Sequence, residues 1–481
     1  MRIKPLLRVF GLFLLCEAAL MLPSLIISII YREGDTAAFA LSILILIIIG
    51  APLASVAKNH VNSLYAREGF ALVGLGWIFL SLFGMLPFIF SGVIQSPVDA
   101  FFESVSGFST TGASILTNVE GLPHGILFWR SFTNWVGGMG VLVLTIALLP
   151  QLGLKDMEIL RAESPGPTPT KLLPKIRETA KILYFIYIGM SAILFISLLF
   201  TGMKPFDSAV NTFTTAGTGG FSVLNNSLAG YNNPAAEMII AVFMLLFGIN
   251  FSVYFIVLTF QFKKAFKNQE LLSYIIIILA SVLLISIDIF HRFGNIFETF
   301  RYVFFQVASI VTTTGFFTID FDLWPPFSRC ILLCLMLIGA CAGSTSGGLK
   351  IVRLLVVFKV IHRELYYLLH PRIVRTVTID GKTVSDNTIR AVLSFVCAYS
   401  VIIIGSTAVI SLDQFDFITN FSAVTAAINN IGLGFEIIGP TGNFSGFSSL
   451  SKIVLSFCML AGRLEIMPIL LLFMPSLWKK M

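Results

Sequence analysis

Long apolar runs separated by short polar stretches make up most of this chain. Six uncharged runs have about 20 residues, the length of a helix that crosses a bilayer. They are 37–57, 70–90, 131–154, 182–203, 238–262 and 391–412. Four further runs contain one or a few polar residues: 9–30, 271–287, 331–350 with its continuation, and 453–478. The pattern therefore predicts an all-α polytopic membrane protein with ten spans.

A short motif rich in Thr and Gly occurs four times, each time between two spans. The copies are Ser109-Thr110-Thr111-Gly112, Gly217-Thr218-Gly219-Gly220, Thr312-Thr313-Thr314-Gly315 and Asn429-Asn430-Ile431-Gly432. In this alignment Gly112, Gly219, Gly315 and Gly432 are equivalent. An acidic residue among aromatics precedes each copy: Asp99, Asp207, Glu298 and Asp416. An acid suits the positive N-terminal end of a helix, so each copy is predicted to follow a short re-entrant helix.

These features divide the chain into two N-terminal helices and four units of the form span, pore helix, span. The predicted boundaries are 1–68 for the two helices, then 69–178, 179–268, 269–387 and 388–481 for the four pore repeats. A buried core helix is the alternative for any single short apolar segment. Four equivalent copies favour pore helices around one pseudo-fourfold axis.

The repeated motif has the chemistry of a cation filter. A cation that leaves water needs oxygen ligands, and backbone carbonyls provide them. Gly adopts the unusual dihedrals that such a strand requires. The predicted potassium-binding residues are Thr110, Thr111, Gly112, Gly217, Thr218, Gly219, Thr313, Thr314, Gly315, Asn430, Ile431 and Gly432. One aligned glycine per copy predicts a short filter with loose selectivity.

The second span of the third repeat contains four glycines in the ten residues 339–348. Each glycine costs a helix roughly 1 kcal/mol relative to Ala, which favours an unwound loop that acts as a gate under the filter. Close helix packing through small residues is the alternative. The predicted gating residues of this segment are Gly343, Ser344, Thr345, Gly347, Gly348 and Lys350.

Arg463 lies within the last apolar run, where a charge is costly unless it faces a partner or a water-filled cavity. Glu465 is two residues away and therefore on a different helix face. Arg463 is predicted to point into the pore, either contacting loop carbonyls near Gly343 or raising a barrier to cations. A structural ion pair with another helix is the alternative.

Composition and charge agree with a membrane protein. The 481 residues are 56% hydrophobic and 12% charged, with a net charge of +7. Ten spans with both termini inside place most of the 32 Lys and Arg in the cytoplasm, in accordance with the positive-inside rule. The charge asymmetry explains the net charge without nucleic-acid binding. The six cysteines lie in or beside apolar segments and have no disulfide or zinc spacing.

Two other function classes are alternatives to a channel-like potassium pathway. The first is a secondary symporter that couples potassium or sodium to protons or sodium, but such proteins are typically built from inverted repeats. The second is an intramembrane enzyme. The five histidines are scattered over loops and span ends and no nucleophile has a nearby base, which disfavours this class.

Four passages give the chain a family resemblance. They are the four filter motifs, the segment 130–140 (RSFTNWVGGMG), the segments 161–167 (RAESPGP) and 177–181 (RETAK), and the Gly/Ser loop that ends at Lys350. On these residues the chain resembles the Trk/Ktr/HKT superfamily of potassium transporters. It is most similar to the TrkH-type membrane subunits, because Ktr-type subunits generally lack the two extra N-terminal helices.

The resemblance implies a multi-pass protein of the bacterial inner membrane, a homodimer, a pseudo-fourfold potassium pore, an intramembrane gating loop and a pore arginine. It also implies a cytoplasmic nucleotide-binding ring of the TrkA type. No GxGxxG motif precedes a helix in this chain, so nucleotide control would come from that partner. No enzymatic cofactor is expected, and K⁺ is the transported ion. Gly432-Leu433-Gly434 differs from relatives that often have proline after the first glycine.

Overall fold

The computed structural model describes residues 3–56, 66–140, 176–373 and 375–479, which are mostly helical. The α-helices are α1 Ile3–Tyr31, α2 Thr36–Ser55, α3 Ala66–Gly84, α4 Leu86–Phe90, α5 Pro97–Phe108, α6 His124–Gly138, α7 Ile176–Phe200, α8 Pro205–Gly217, α9 Pro234–Phe247, α10 Phe251–Leu258, α11 Phe262–Phe266, α12 Gln269–Phe293, α13 Ile296–Val311, α14 Pro326–Ile338, α15 Ile351–Leu369, α16 Asp386–Ile410, α17 Phe417–Ile428, α18 Ser449–Arg463, α19 Met467–Leu472 and α20 Pro475–Trp478. A hairpin joins β1 Thr378–Ile379 to β2 Lys382–Thr383.

Six helical segments among the described residues are long and apolar enough to cross a membrane. They match the predicted spans 9–30, 37–57, 70–90, 182–203, 271–287 and 391–412, and lie at α1, α2, α3 with α4, α7, α12 and α16. Their outer faces remain apolar: on α12, Leu279, Leu283 and Ile287 are all more than 60% exposed. Exposed apolar surface of this extent is what a lipid-facing helix requires.

The apolar run predicted as a span over 238–262 forms two helices with a sharp bend between them. The chain bends by 91° between α9 and α10. Gly248 ends α9, and the Asn250 side chain accepts a hydrogen bond from the Ser252 backbone N–H at 2.9 Å. Asn is a strong N-cap, so the polar residue that interrupts this apolar run starts a new helix.

The last predicted span, 453–478, is also interrupted. Helix α18 ends at Arg463, and both Glu465 and Ile466 have left-handed backbone conformations, with φ of 56° and 62°. Pro468 then occupies the first turn of α19, where its missing N–H does no harm. The sequence signal for this break is the Pro, which cannot continue a helix that comes before it.

The predicted interruption in the third repeat is present. Helix α14 ends at Ile338, α15 begins at Ile351, and residues 339–350 form the loop between them. In the first repeat, α6 ends at Gly138. The C-terminal part of the span predicted over 131–154 and the segment 161–167 lie outside the described residues.

The four short helices α5, α8, α13 and α17 each pack against the helix that follows them, α6, α9, α14 and α18. Each following helix also contacts the short helix of the next unit, in the pairs α6–α8, α9–α13, α14–α17 and α18–α5. The pair α18–α5 joins the fourth unit to the first. The contacts therefore form a closed cycle, in which buried apolar side chains fill the space behind each short helix.

Candidate functional site: four strands and a loop

The short helices begin with the acidic residues that the sequence analysis placed there. Asp99, Asp207 and Glu298 lie in the first turns of α5, α8 and α13, and Asp416 is the N-cap of α17. The Asp416 carboxylate accepts hydrogen bonds from the Thr419 hydroxyl and from two backbone N–H groups, those of Thr419 and Ile418. These bonds lower the pKa of Asp416 below its ordinary value.

The chain leaves each short helix through the same backbone turn. Four residues have a left-handed conformation, with φ of 58°, 55°, 58° and 55°: Thr110, Thr218, Thr313 and Asn430. Two residues further on, Gly112, Gly220, Gly315 and Gly432 have φ of 76°, 70°, 82° and 79°. Since L residues adopt this conformation at a cost of about 1–2 kcal/mol, four repetitions indicate a shared structural requirement.

The hydrogen bonds of the four turns also agree. The residue between the two left-handed positions donates its N–H to a carbonyl five residues earlier, at 2.8–2.9 Å. The pairs are Thr111 with Ser106, Gly219 with Thr214, Thr314 with Ser309, and Ile431 with Ala426. The four filter motifs are therefore equivalent in backbone structure as well as in sequence. We call the three-residue segments 110–112, 218–220, 313–315 and 430–432 the four filter strands.

This equivalence corrects the sequence alignment of the second motif. The residue that matches Gly112, Gly315 and Gly432 is Gly220, whereas the sequence analysis aligned Gly219 and included Gly217. Gly217 is the last residue of α8 and packs against the Asn134 carbonyl. Three glycines stand within four residues at this motif, so composition alone left the register ambiguous by one residue.

The glycines of the filter strands place the four strands next to one another. A β-carbon at Gly112 would collide with the Gly219 carbonyl oxygen, and one at Gly220 with that of Thr314. A β-carbon at Gly315 would collide with the Ile431 carbonyl oxygen, and one at Gly432 with that of Thr111. Each strand thus abuts the next, and the fourth abuts the first. The carbonyls involved belong to the middle residue of every strand.

Side chains behind the strands are buried and bonded to one another. The Ser109 and Thr111 hydroxyls lie 2.7 Å apart, and those of Thr312 and Thr314 lie 2.8 Å apart. The Asn430 amide donates to the Thr111 hydroxyl at 3.0 Å and to the Met459 carbonyl at 2.9 Å. The bond between Asn430 and Thr111 joins the fourth strand to the first.

The loop 339–350 contacts the strands directly. The Gly347 N–H donates to the Thr313 hydroxyl at 2.7 Å, and a β-carbon at Gly347 would collide with the Asn429 carbonyl. Gly348, with φ of 84°, packs against Gly339 at the other end of the loop. The loop therefore lies against the third and fourth strands, and glycine is required where it approaches the backbone.

The same loop is bonded to the bend between α9 and α10. The Cys341 N–H donates to the Gly248 carbonyl at 3.1 Å, and the Phe251 N–H donates to the Gly343 carbonyl at 3.0 Å. The Thr345 hydroxyl donates to the Phe247 carbonyl at 3.3 Å. The bend between α9 and α10, which the sequence pattern did not predict, thus supplies the backbone N–H and carbonyl groups that bind the loop.

Polar side chains inside the loop close it on itself. The Ser344 hydroxyl donates to the Cys341 carbonyl at 2.6 Å, and the Lys350 ammonium donates to the Ser346 carbonyl. Lys350 itself has a left-handed conformation, with φ of 69°, immediately before α15. The predicted gating residues from Gly343 to Lys350 all lie in the loop 339–350.

Arg463 reaches carbonyl oxygens of two different repeats. Its guanidinium donates to the Thr345 carbonyl at 2.8 Å, to the Gly138 carbonyl at 2.8 Å and to the Gly137 carbonyl. The expected contact with a loop carbonyl near Gly343 is present, at Thr345. Glu465, which lies beyond the end of α18, pairs with Arg353 of α15.

A buried ion pair behind the first strand escaped the sequence analysis. The Arg130 guanidinium donates to Glu103 at 2.6 Å and to the Ser222 carbonyl at 3.3 Å, and stacks on Phe221. Glu103 also accepts from the Ile115 N–H at 3.0 Å. The pair joins the ends of the first and second strands. An acid inside a short apolar helix and an Arg directly before the apolar run 131–154 were the available signals.

Carboxylates, thiols and imidazoles do not build the site. Within 3–56, 66–140, 176–373 and 375–479, no group of three or more such side chains is placed to hold a metal ion. The oxygen atoms that the strands offer belong to backbone carbonyls, threonine hydroxyls and the side-chain amide of Asn430. Such neutral ligands suit a hard cation that binds briefly and leaves.

Comparison with known proteins settles the family. A family model described as "Cation transport protein", TrkH, matches residues 35–480. The chain belongs to the TrkH family. Members of this family are transport proteins and not enzymes. The strands, the loop and Arg463 are therefore features of a TrkH-family membrane transporter.

Similar proteins cover the whole TrkH-family chain. It is 37% identical to the Trk system potassium uptake protein TrkH of Escherichia coli strain K12 over 100% of both chains. It is 33% identical to the Trk system potassium uptake protein TrkG of the same strain over 95% of both chains. The crystal structure of the potassium transporter TrkH from Vibrio parahaemolyticus is similar with a TM-score of 0.88, at 34% identity and 100% coverage of both chains.

Proposed function

We propose that this chain takes up potassium across the bacterial cytoplasmic membrane through a pore whose narrowest part is the ring of four filter strands. The observation that carries the proposal is the closed cycle in which each strand glycine abuts the carbonyl of the next strand. A ring of carbonyls replaces the water shell of a cation. The names of the relatives, potassium uptake proteins, support potassium as the cation.

The ion-binding residues in this proposal are the four strands in their structural register. They are Thr110, Thr111, Gly112, Thr218, Gly219, Gly220, Thr313, Thr314, Gly315, Asn430, Ile431 and Gly432. The repeats are arranged around one pseudo-fourfold axis, and the cyclic packing of α5, α8, α13 and α17 supports this arrangement. The C-terminal ends of these helices lead into the strands, where their negative dipole ends favour a cation.

The loop 339–350 is the gate in this proposal. Its contacts with Thr313 and Asn429 place it directly against the strands. Arg463 holds it through the Thr345 carbonyl and adds a positive charge that opposes cations. Transport is channel-like, because the path consists of a filter and a gate and needs no second ion.

Both termini face the cytoplasm, as the distribution of Lys and Arg favours. The protein acts as a homodimer with a cytoplasmic nucleotide-binding ring of the TrkA type. These two assignments rest on the family resemblance alone. Binding of the purified chain to such a ring, and its mass in detergent, test them separately.

Growth of a bacterial strain that lacks its own potassium uptake systems tests the proposed function. Expression of this chain should restore growth in low-potassium medium, and Gly315→Ser, whose pore should no longer prefer potassium over sodium, should weaken the rescue while the protein remains in the membrane. A wild-type chain that is present in the membrane and gives no rescue would contradict potassium uptake. Rescue by Gly315→Ser equal to wild type would contradict the filter.

A further inference from the structure

The first turn of α12 contacts both the loop 339–350 and the hairpin β1–β2, two segments that lie far apart in sequence. Glu270, the second residue of α12, contacts the loop, and its neighbours Asn268 and Gln269 contact the hairpin. Neither contact is used in the proposed ion path. Together they connect a surface hairpin to the segment that we propose as the gate.

Glu270 holds the first part of the loop. Its carboxylate accepts a hydrogen bond from the Ala342 N–H at 2.6 Å. Glu270 is 6% exposed, so this bond is shielded from water. A single buried carboxylate thus ties the loop to the first turn of α12.

Asp380 fixes the start of α12 from the hairpin. One carboxylate oxygen accepts from the Gln269 N–H at 2.7 Å, and the other accepts from the Asn268 amide at 3.1 Å. The N–H groups of a first helical turn have no partner within the helix, and the helix dipole favours a negative charge there. Asn268 is the N-cap of α12 and accepts from the Leu271 N–H at 2.8 Å, and Asp380 adds a second cap at the Gln269 N–H.

The hairpin presents Asp380 in a defined position. Asp380 and Gly381 have φ of 51° and 74°, the combination of a tight two-residue turn with two left-handed positions. Lys359 of α15 donates to the Gln269 side chain and to the Thr378 carbonyl, both at 2.6 Å. Lys359 thus connects α15 both to the start of α12 and to the hairpin.

We propose that the hairpin controls the loop through the start of α12, with Asp380 and Glu270 as positioning residues. Displacement of the hairpin frees the Gln269 and Asn268 groups, loosens the first turn of α12 and thereby releases the Glu270 contacts with the loop. The functional part of this inference rests on the proposed gate. The mechanical part, that the hairpin holds the loop, is independent of the proposed gate.

The natural cysteine of the loop gives a direct readout. Cys341 is 1% exposed, and its backbone is bonded to Gly248. In the full-length chain with the other five cysteines replaced, its rate of reaction with a small water-soluble methanethiosulfonate reports how often the loop opens. Potassium flux is measured on the same proteoliposomes.

Asp380→Ala should raise the Cys341 reaction rate by roughly tenfold, since charge-assisted hydrogen bonds at the helix start are lost. Asp380→Asn, which keeps one acceptor oxygen, should restore part of the protection. Lys382→Ala is the matched control, because Lys382 is an exposed charged residue of the same hairpin. It should leave the rate unchanged.

An Asp380→Ala rate equal to wild type would overturn the proposal, and so would an equal rise in Lys382→Ala. Faster reaction of Cys341 together with increased potassium flux supports the whole proposal. Faster reaction with unchanged flux supports the link between hairpin and loop and contradicts the loop as the gate. Failure of the link between hairpin and loop can thus be distinguished from failure of the loop as the gate.

Discussion

The Arg463 guanidinium donates a hydrogen bond to the Thr345 carbonyl at 2.8 Å, although 118 positions separate the two residues. Arg463 ends α18 of the fourth repeat, and Thr345 lies in the loop of the third. Two further bonds reach the Gly137 and Gly138 carbonyls of the first repeat. One side chain therefore joins the loop of the third repeat to the first and fourth repeats.

Replacement of Arg463 by Ala should raise potassium flux roughly tenfold, equivalent to about 1.4 kcal/mol of barrier. The variant loses a positive charge beside the path and the bonds that hold the loop closed. Flux into proteoliposomes at equal protein content measures the effect. Arg463→Lys separates the effect of the charge from the effect of the bonds to the loop. This variant retains the charge, and its potassium flux should stay near the wild-type value. Unchanged flux in Arg463→Ala would assign the side chain a structural role only.

Replacement of Gly315 by Ser should degrade selectivity for potassium over sodium. Its β-carbon would meet the Ile431 carbonyl of the neighbouring strand, at a position with φ of 82°. Gly92→Ser is the matched control, because Gly92 has φ of 74° but nothing within 4 Å of a β-carbon. Both variants carry a backbone strain of about 1–2 kcal/mol, so only the filter variant should change the permeability ratio. A normal ratio in Gly315→Ser would contradict the strand assignment.

The register of the second strand makes a separate prediction. Gly220→Ser should impair selectivity in the same way as Gly315→Ser, since its β-carbon would meet the Thr314 carbonyl. If instead Gly220→Ser preserved the permeability ratio while Gly315→Ser lost it, the four strands would not be equivalent. Permeability ratios from reversal potentials in mixed potassium and sodium solutions decide between these outcomes.

Replacement of Arg130 by Met should lower stability by about 3–5 kcal/mol, because Glu103 is left buried without its ionic partner. The apparent Tm in detergent measures the loss. The double variant Glu103→Gln with Arg130→Met should recover part of it. Glu364→Gln breaks the exposed pair of Arg363 and Glu364 and should change the stability by no more than about 0.5 kcal/mol. A mild effect of Arg130→Met would show that the pair does not hold the first two strands together.

Stability should fall as the pH rises from about 4 to 7. Burial and the nearby Asp320 and Glu436 raise the pKa of Asp322 to about 7, above its ordinary value. The folded protein therefore binds this proton more tightly than the unfolded chain does. The resulting stabilisation is complete below the unfolded pKa and disappears as the pH passes the folded one. Asp322→Asn should flatten this part of the Tm–pH curve, and an unchanged slope would contradict the prediction.

The spans and short helices could be predicted from sequence because their signals are local. A run of about 20 apolar residues has few structures open to it in a membrane, and an acid before a short apolar segment marks a helix start. The loop of the third repeat was also visible, since four glycines within ten residues do not favour a helix.

Other features depended on contacts that no local pattern shows. The bend between α9 and α10 is stabilised by Cys341 and Gly343, almost a hundred residues away in sequence. The register of the second strand follows from the close approach of Gly220 to Thr314. The pairing of Glu103 with Arg130 and the cap that Asp380 provides for α12 likewise require the folded chain.

Potassium and sodium flux in proteoliposomes that contain only this chain, under an imposed membrane potential, tests the central claim most directly. We predict passive flux that follows the potential and prefers potassium, with the preference lost in Gly315→Ser. Flux that requires a proton or sodium gradient in fixed proportion, or a potassium preference untouched by Gly315→Ser, would contradict a channel-like pore lined by the four strands.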